Sequence, residues 1–334
     1  MKNRTRFLSV LLAASLVAVM LAGCSKTPEV KYLKVDGEEI AVPYVLKIDG
    51  SEVPMEEYRY YFMSIKSQYD NGDSSYWLSN AEGEDELKET VLDQLTYLYA
   101  AMELAKENNM TLTAEELSSI DDSLEETKAS FDTDAEYIAA LNQNYIPSET
   151  FYKNTVIAKY QLYQKLFTDL YSETGANALS DEELISFVED HYVRASHILV
   201  AFGDDEEASA TKARAEEALS RVQSGEDFDA LVAEYGEDPG MTDNTDGYYF
   251  TTGEMVEPFE QAAFALKEGE TSGLVETTYG YHIIKRLPME VSYISENRET
   301  FLQGYVEKII ADKQEAAAVE YCEQYDVINT SNLS

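Results

Sequence analysis

The chain has 334 residues and a formal net charge of −39 at pH 7, because 64 Asp and Glu outnumber 25 Lys and Arg. A charge of this sign and size argues against a nucleic-acid-binding protein and against direct adhesion to anionic lipid head groups. The chain has only two cysteines, Cys24 and Cys322, so no framework of several disulfides is possible.

The first 23 residues have the organisation of a secretory signal. Three cationic side chains lie within residues 2–6, an apolar run covers residues 7–20, and Leu21-Ala22-Gly23-Cys24 follows it. The apolar run is too short, and begins too early, for a lasting transmembrane helix. The last four residues resemble a bacterial lipobox, which implies that residues 1–23 are removed and that Cys24 is lipidated. The resemblance implies a lipid-anchored protein at the extracytoplasmic face of the cell membrane; an ordinary secretory signal with an incidental cysteine is the alternative.

A short linker and a mostly helical body are predicted next. Residues 24–42 are polar without a clear period and are predicted to be the linker. Residues 44–48 predict one strand that is turned by Asp49-Gly50. The remainder of residues 43–192 is predicted to be the N-terminal part of a helical domain.

The helices of this domain are predicted from spacing and capping signals. The longest apolar stripe follows a three-four spacing and contains Leu87, Val91, Leu95, Leu98, Met102 and Ala105. Two capping boxes are predicted to open helices, formed by Thr113 with Glu116 and by Ser180 with Glu183. A further helix is predicted to run from Pro147 to about Leu170.

Two of the three histidines lie in apolar runs at the ends of residues 193–287. His197 lies within residues 195–200 and His282 within residues 281–285. Such β-branched runs predict strands buried on both faces. Core histidines whose ring nitrogens are satisfied by neighbours are one explanation of this pattern.

The sequence between the two histidines predicts a compact α+β domain. Residues 212–224 form a helix that Gly225 ends, and residues 226–235 form a second helix. An aromatic strand at 248–250, a short helix that ends at Leu266 and a hairpin that leads to His282 follow. The predicted element order is β-α-α-β-α-β-β.

Five motifs in this stretch carry a resemblance to a known family. SHILV, SGEDF, GEMVEPFEQAAFAL, GETSGLVET and YGYHIIK occur in the order and spacing of the parvulin family of peptidyl-prolyl cis/trans isomerases, which the stretch closely resembles. The resemblance implies that His197 and His282 form a central pair within a hydrogen-bonded array under the substrate proline. It also implies that Asp238 faces the amide that twists.

The resemblance further implies an apolar pocket for the proline ring. Met255 and Phe259 correspond to its floor and wall, Phe250 lies near it, and Thr277 ties the histidine array together. Plain core packing is the alternative for Met255 and Phe259.

The implied chemistry requires no nucleophile, metal or cofactor, because rotation about an X-Pro bond breaks no bond. An apolar slot, the removal of water and polar groups that favour the twisted amide are sufficient. The sequence departs from the family where a Gly-Gly-x-Leu-Gly pattern is usual, since residues 244–248 read Asn-Thr-Asp-Gly-Tyr. Gly236 replaces the usual serine, and Pro239 follows Asp238 and restricts its backbone.

Residues 288–326 are predicted to form a C-terminal helix that contains Cys322, followed by a tail at 327–334. The apolar stripe of such a helix needs a partner, so we expect it to complete the helical domain of residues 43–192, with residues 193–287 inserted. This layout behind a lipobox resembles the PrsA foldases of Gram-positive bacteria and, more distantly, the SurA-type periplasmic chaperones.

These resemblances imply a foldase that isomerises X-Pro bonds in newly secreted proteins and holds unfolded clients. The many tyrosines of the helical part suit adaptable recognition of unfolded segments, or are simply half-buried helix residues. The alternatives are a holdase with a weak or inactive parvulin domain and a solute-binding lipoprotein, against which the long helical stripes argue. No nucleic acid partner is expected, and a homodimer is left open.

The loop after the first parvulin strand predicts what the site disfavours. Residues 204–207 are four consecutive carboxylates, whereas a phosphate carries about −1.5 to −2 charges. We therefore expect phosphorylation of the residue before proline to weaken turnover.

Overall fold

A computed structural model of the chain describes residues 33–35, 37–73, 75–80, 82–203, 208–244 and 246–333. The predicted signal peptide, Cys24 and the acidic residues 204–207 lie outside this part of the chain. The chain divides into two units, of which one is Leu179–Phe301 and the other combines residues on both sides of it. This division agrees with the predicted fold class, in which an α+β domain is inserted into a helical domain. The inserted unit extends beyond the predicted 193–287, because residues 179–192 and 288–301 also belong to it.

The N-terminal part of the flanking unit begins with two antiparallel hairpins and continues as helices. The hairpins comprise β1 (Leu33–Val35), β2 (Glu38–Ile40), β3 (Tyr44–Ile48) and β4 (Ser51–Pro54). The helices are α1 (Met55–Asp70), α2 (Tyr76–Ser79), α3 (Gly83–Glu107), α4 (Ala114–Ala129), α5 (Asp134–Gln143), α6 (Glu149–Phe151) and α7 (Ala158–Lys165). No helix in the described residues combines the length and apolar character that crossing a membrane requires.

Several local predictions for residues 43–192 are confirmed. Asp49 and Gly50 have φ angles of 49° and 77°, as the tight turn between β3 and β4 requires. Both predicted capping boxes are present, at the start of α4 and at the start of the helix that follows Ser180. The helix predicted from Pro147 is interrupted by π-helical segments at Tyr152–Ile157 and Leu166–Leu170.

The predicted linker at 24–42 is wrong for its described residues. β1 and β2 form a hairpin there, and Leu33 and Val42 are buried in the same core as Tyr58 of α1. Leu33 and Val35 alternate as in a strand, but Gly37 turns the chain after only three residues, so no period is visible in the sequence.

The inserted unit follows the predicted order of strands and helices, with short helices added. Its elements are α8 (Asp181–His191), β5 (Tyr192–Ala201), α9 (Ala208–Gln223), α10 (Phe228–Tyr235), α11 (Gly240–Asp243), β6 (Tyr248–Thr251), α12 (Glu257–Ala265), β7 (Val275–Glu276), β8 (Gly280–Leu287) and α13 (Val291–Glu296). The four strands form an antiparallel sheet in the order β6-β5-β8-β7. Gly225 has a φ of 88° just beyond α9, as predicted for the residue that ends this helix.

The two faces of this sheet pack against different helices. On one face, Ile198 and Ile283 pack with Ala215 of α9 and Leu231 of α10. On the other face, Val193, Ala195 and Ile284 pack with Phe259 and Ala263 of α12. Since side chains alternate across a strand, His197 and His282 fall on the α12 face.

The C-terminal prediction is only partly correct. The helix α14 (Arg298–Ala316) ends well before residue 326, and the strand β9 (Val319–Tyr321) follows it and pairs with β3. Cys322 therefore lies outside any helix, and its backbone N–H donates to the Val45 carbonyl at 2.9 Å. Residues 327–333 are not a loose tail, because Ile328 and Leu333 are fully buried in the core that contains Leu33.

Candidate active site

The two sheet histidines lie diagonally across neighbouring strands. His197 is opposite Ile284, and His282 is opposite Leu199, so the two rings share one face two residues apart. Their centroids are 5.2 Å apart, and each residue is 5% exposed. The pairing of β5 with β8 therefore brings together residues that are 85 positions apart in the sequence.

The hydrogen-bonded array that the resemblance implies is incomplete. Both ring nitrogens of His197 and Nδ1 of His282 have no hydrogen-bond partner. The fourth nitrogen, Nε2 of His282, lies 2.8 Å from the Thr277 hydroxyl. Thr277 thus contacts the array as predicted, but the two histidines are not hydrogen-bonded to each other.

Asp238 reaches the site from the loop between α10 and α11. Its Oδ2 atom lies 3.2 Å from His197 Nε2, but the two atoms do not form a hydrogen bond. Its Oδ1 atom accepts a 2.9 Å bond from the Gly240 N–H, which closes a turn around Pro239. The proline following Asp238 therefore coexists with a side chain that faces the histidines.

The loop is attached to β5 through Glu237, a residue that the sequence interpretation did not single out. The Glu237 backbone N–H donates to the Leu199 carbonyl at 2.8 Å. Its side chain accepts from the Ala201 N–H at 2.7 Å and pairs with Arg214. Because Glu237 precedes Asp238, these contacts fix the backbone from which the Asp238 side chain projects.

Aromatic side chains line the apolar part of the site. The Phe259 ring meets both histidine rings edge-on, with centroid distances of 5.1 Å to His197 and 5.3 Å to His282. Phe250 is 5.8 Å from Phe259, and Met255 is partly buried against the same cluster. All the residues predicted for the site therefore meet on this face, although core packing alone would also place the three apolar ones here.

Burial determines the protonation of both histidines. It lowers the pKa of His282 to about 4, and the neighbouring His197 adds to this effect while Asp238 opposes it. Burial also lowers the pKa of His197, again against the influence of Asp238. His197 is consequently neutral at pH 7, so its contact with Asp238 is not an ion pair.

A metal centre does not suit these residues. Within the described residues, no group of three or more His, Cys, Asp and Glu side chains could hold a metal ion. The arrangement instead provides an apolar floor, two neutral imidazoles and one carboxylate.

Comparisons with known proteins identify the class of the domain. Residues 197–287 match the family model described as "Rotamase: PPIC-type PPIASE domain". The fold and the site thus define a parvulin-type peptidyl-prolyl isomerase.

The similarity to full-length relatives extends well beyond this domain. The foldase protein PrsA of Caldanaerobacter subterraneus is 30% identical over 335 residues, which cover 96% of this chain and 93% of the relative. The PrsA of Halalkalibacterium halodurans is 35% identical over 228 residues, which cover 65% and 63%. The crystal structure of PrsA from Bacillus subtilis is 28% identical, with coverages of 70% and 84% and a TM-score of 0.28. The chain belongs to the PrsA foldase family, which leaves the solute-binding alternative without support.

Proposed function

We propose that this chain is a lipid-anchored foldase that works outside the cytoplasm, isomerises X-Pro bonds in secreted proteins and holds their unfolded segments. The observation that carries the catalytic part is the convergence of Asp238, His197 and His282 beside the Phe259 ring. We assign the catalytic roles to these three polar residues and the proline-binding role to Phe259, Met255 and Phe250.

The reaction to be accelerated is a rotation. The amide barrier is about 18–20 kcal/mol, and unaided X-Pro exchange takes roughly tens to hundreds of seconds. Twisting the amide removes its conjugation and leaves the nitrogen lone pair localised. A site that binds this twisted form more tightly than either planar form lowers the barrier.

The residues of the site can supply this preference without a covalent step. The apolar pocket of Met255 and Phe259 receives the pyrrolidine ring and excludes water, which strengthens nearby electrostatic interactions. The neutral imidazole of His197 can donate a hydrogen bond to the peptide through Nε2, and the Asp238 carboxylate lies beside that nitrogen. Catalytic hydrogen bonds are often long before substrate binds, so the unpartnered nitrogens are compatible with this role.

Exchange spectroscopy on an unmodified X-Pro peptide tests the catalytic proposal with the full chain. We expect the wild type to accelerate exchange and His197→Ala to abolish most of the acceleration. The matched control is His191→Gln, since this third histidine lies in α8 and its Nδ1 contacts the Phe187 carbonyl. An exchange rate equal to that of buffer for the wild type would refute the catalytic role.

A holdase with an inactive isomerase domain is the second candidate. The absence of a hydrogen bond between His197 and His282 favours it, since the family resemblance implies a connected array. Suppressed aggregation of a proline-free unfolded protein, together with buffer-rate exchange, would select this candidate.

Client holding is proposed for the flanking unit because 17 of the chain's 25 tyrosines lie in its described residues. Tyr163 of α7 lies 6.2 Å from Tyr97 and 5.0 Å from Phe167, measured between ring centroids. Tyrosine offers a large contact area with a polar tip, which suits segments of varied sequence. Light scattering from a proline-free unfolded protein tests this role, and aggregation that the wild type does not reduce would contradict it.

The membrane location is proposed from the lipobox-like residues 21–24 alone. We expect Cys24→Ala to move the protein from the membrane fraction to the soluble extracytoplasmic fraction, with Cys322→Ala as the matched control. A mature wild-type protein whose mass shows no lipid on Cys24 would refute lipid anchoring.

A further inference from the structure

Tyr248 contacts both Asp238 and His197. It is the first residue of β6 and lies opposite Ala195, so its side chain shares the sheet face of His197 and Phe250. Its ring is nearly parallel to the His197 ring, with an interplanar angle of 20° and a centroid distance of 6.0 Å. Residue 248 also falls where this sequence departs from the glycine-rich pattern, and glycine could not make such a contact.

The hydroxyl of Tyr248 donates to Asp238 Oδ2 at 3.0 Å. The same carboxylate oxygen lies 3.2 Å from His197 Nε2. The other oxygen, Oδ1, accepts from the Gly240 N–H. Two donors on different oxygens fix the plane of the carboxylate.

Gly240 leaves the space that this hydroxyl occupies. A Cβ atom built at Gly240 would lie 2.0 Å from the Tyr248 hydroxyl oxygen and 3.3 Å from Asp238 Oδ1. Any other residue at position 240 would therefore displace the phenol from the carboxylate. The Asp238-Pro239-Gly240 turn and Tyr248 are complementary parts of one arrangement.

We propose that Tyr248 is a positioning residue of the isomerase site: its hydroxyl holds the Asp238 carboxylate in the orientation that faces His197. This inference rests on the proposed catalytic roles of Asp238 and His197. Without the hydroxyl, the side chain of Asp238 keeps its bond to the Gly240 N–H but can rotate Oδ2 away from the imidazole.

Tyr248→Phe removes the hydroxyl and retains the ring beside His197. In exchange spectroscopy with the full chain, we expect kcat to fall about tenfold, since a hydrogen bond to a charged group is lost. KM should change by less than about twofold, because the proline floor is untouched. Tyr249→Phe is the matched control: its side chain lies on the opposite sheet face, where its hydroxyl accepts from the Glu290 N–H.

Gly240→Ala removes the same contact by a different route. We expect it to lower kcat by a similar factor, and the double variant to lower kcat no further, because both changes break one interaction. Circular dichroism identifies an unfolded Gly240→Ala protein, and in that case Tyr248→Phe alone decides the question.

Imidazole ¹⁵N spectra provide a readout that does not depend on activity. The chain has only three histidines, so their ring signals can be assigned from single variants. We expect Tyr248→Phe to shift the His197 ring signals and to leave those of His191 in place.

The outcomes separate this inference from the catalytic proposal. Normal kcat with unshifted His197 signals in Tyr248→Phe would overturn the positioning role while leaving catalysis intact. Equal losses of kcat in Tyr248→Phe and Tyr249→Phe would also overturn it, since a general packing effect would then be sufficient. Wild-type exchange at the buffer rate would refute catalysis instead, and the His197 shift alone would then decide whether Tyr248 positions Asp238.

Discussion

Lowering the pH from 7 to 4 should destabilise the inserted unit through His282. An unfolded histidine has a pKa near 6.5, whereas burial lowers the pKa of folded His282 to about 4. At pH values between about 4 and 6.5, His282 binds a proton in the unfolded chain but not in the folded protein. The stability that neutral His282 contributes is therefore fully present above pH 6.5 and is lost as the pH falls toward 4.

The size of this effect follows from the two pKa values. A difference between 6.5 and about 4 corresponds to a loss of roughly 3 kcal/mol in the free energy of unfolding. His197 acts in the same direction, because burial lowers its pKa as well. A loss of this size is a large fraction of the ~5–15 kcal/mol that holds a typical domain folded.

Urea unfolding at several pH values measures the effect if each unit has its own probe. Methyl signals of Ile198 and Ile283 report the inserted unit, since both side chains are buried in its core. Trp77 is the only tryptophan and lies in the flanking unit, so its fluorescence reports that unit separately. His282→Gln is the control variant. Between pH 6.5 and 4, its free energy of unfolding should fall by about 3 kcal/mol less than that of the wild type.

Equal losses of stability in wild type and His282→Gln over this pH range would contradict a lowered pKa of His282. His282 ring signals that titrate near 6.5 in the folded protein would contradict it as well. Because both histidines should stay neutral, the exchange rate of an X-Pro peptide should show no step through pH 6.5, and such a step would be a further contradiction.

Three other changes have clear expected results. Thr277→Val removes the hydroxyl that lies 2.8 Å from His282 Nε2 and should lower kcat several-fold with little change in KM; an unchanged kcat would show that this contact is only structural. A phosphoserine before proline should be turned over more slowly than serine, because the four carboxylates at 204–207 repel a phosphate and the nearby Arg214 is already paired with Glu237. The difference should be largest at low salt, and faster turnover of the phosphoserine peptide at low salt would contradict this. Ile328→Ala should destabilise the flanking unit by about 2–5 kcal/mol in urea unfolding followed by Trp77 fluorescence, and a loss below about 0.5 kcal/mol would place residue 328 outside the core.

Regular periodicity explains what the sequence could predict. The stripe from Leu87 to Ala105 became the buried side of α3, and the capping boxes at Thr113 and Ser180 mark true helix starts. These signals are local, because each depends on residues within a few turns of one another.

Short strands explain most of the structural errors. β1, β2 and β9 have three residues each, which is too few for alternation to be distinguished from chance. β9 is also held by β3, about 270 residues earlier, through the pairing of Ile48 with Val319. A strand whose partner is so distant is specified by tertiary packing, and the preceding helical period of α14 concealed it.

The site residues show the same difference between signals that are local in the sequence and contacts that depend on tertiary packing. Motif resemblance singled out His197, Asp238, His282 and the apolar residues as site candidates, and the structure brings these residues together on one sheet face. The resemblance could not locate Tyr248, whose contact with Asp238 depends on the register of β6 with β5 and on the space left by Gly240. The sequence marked this position only as a departure from the usual glycine-rich pattern. At this position, the tyrosine supplies a hydrogen bond to Asp238 that a glycine side chain could not form.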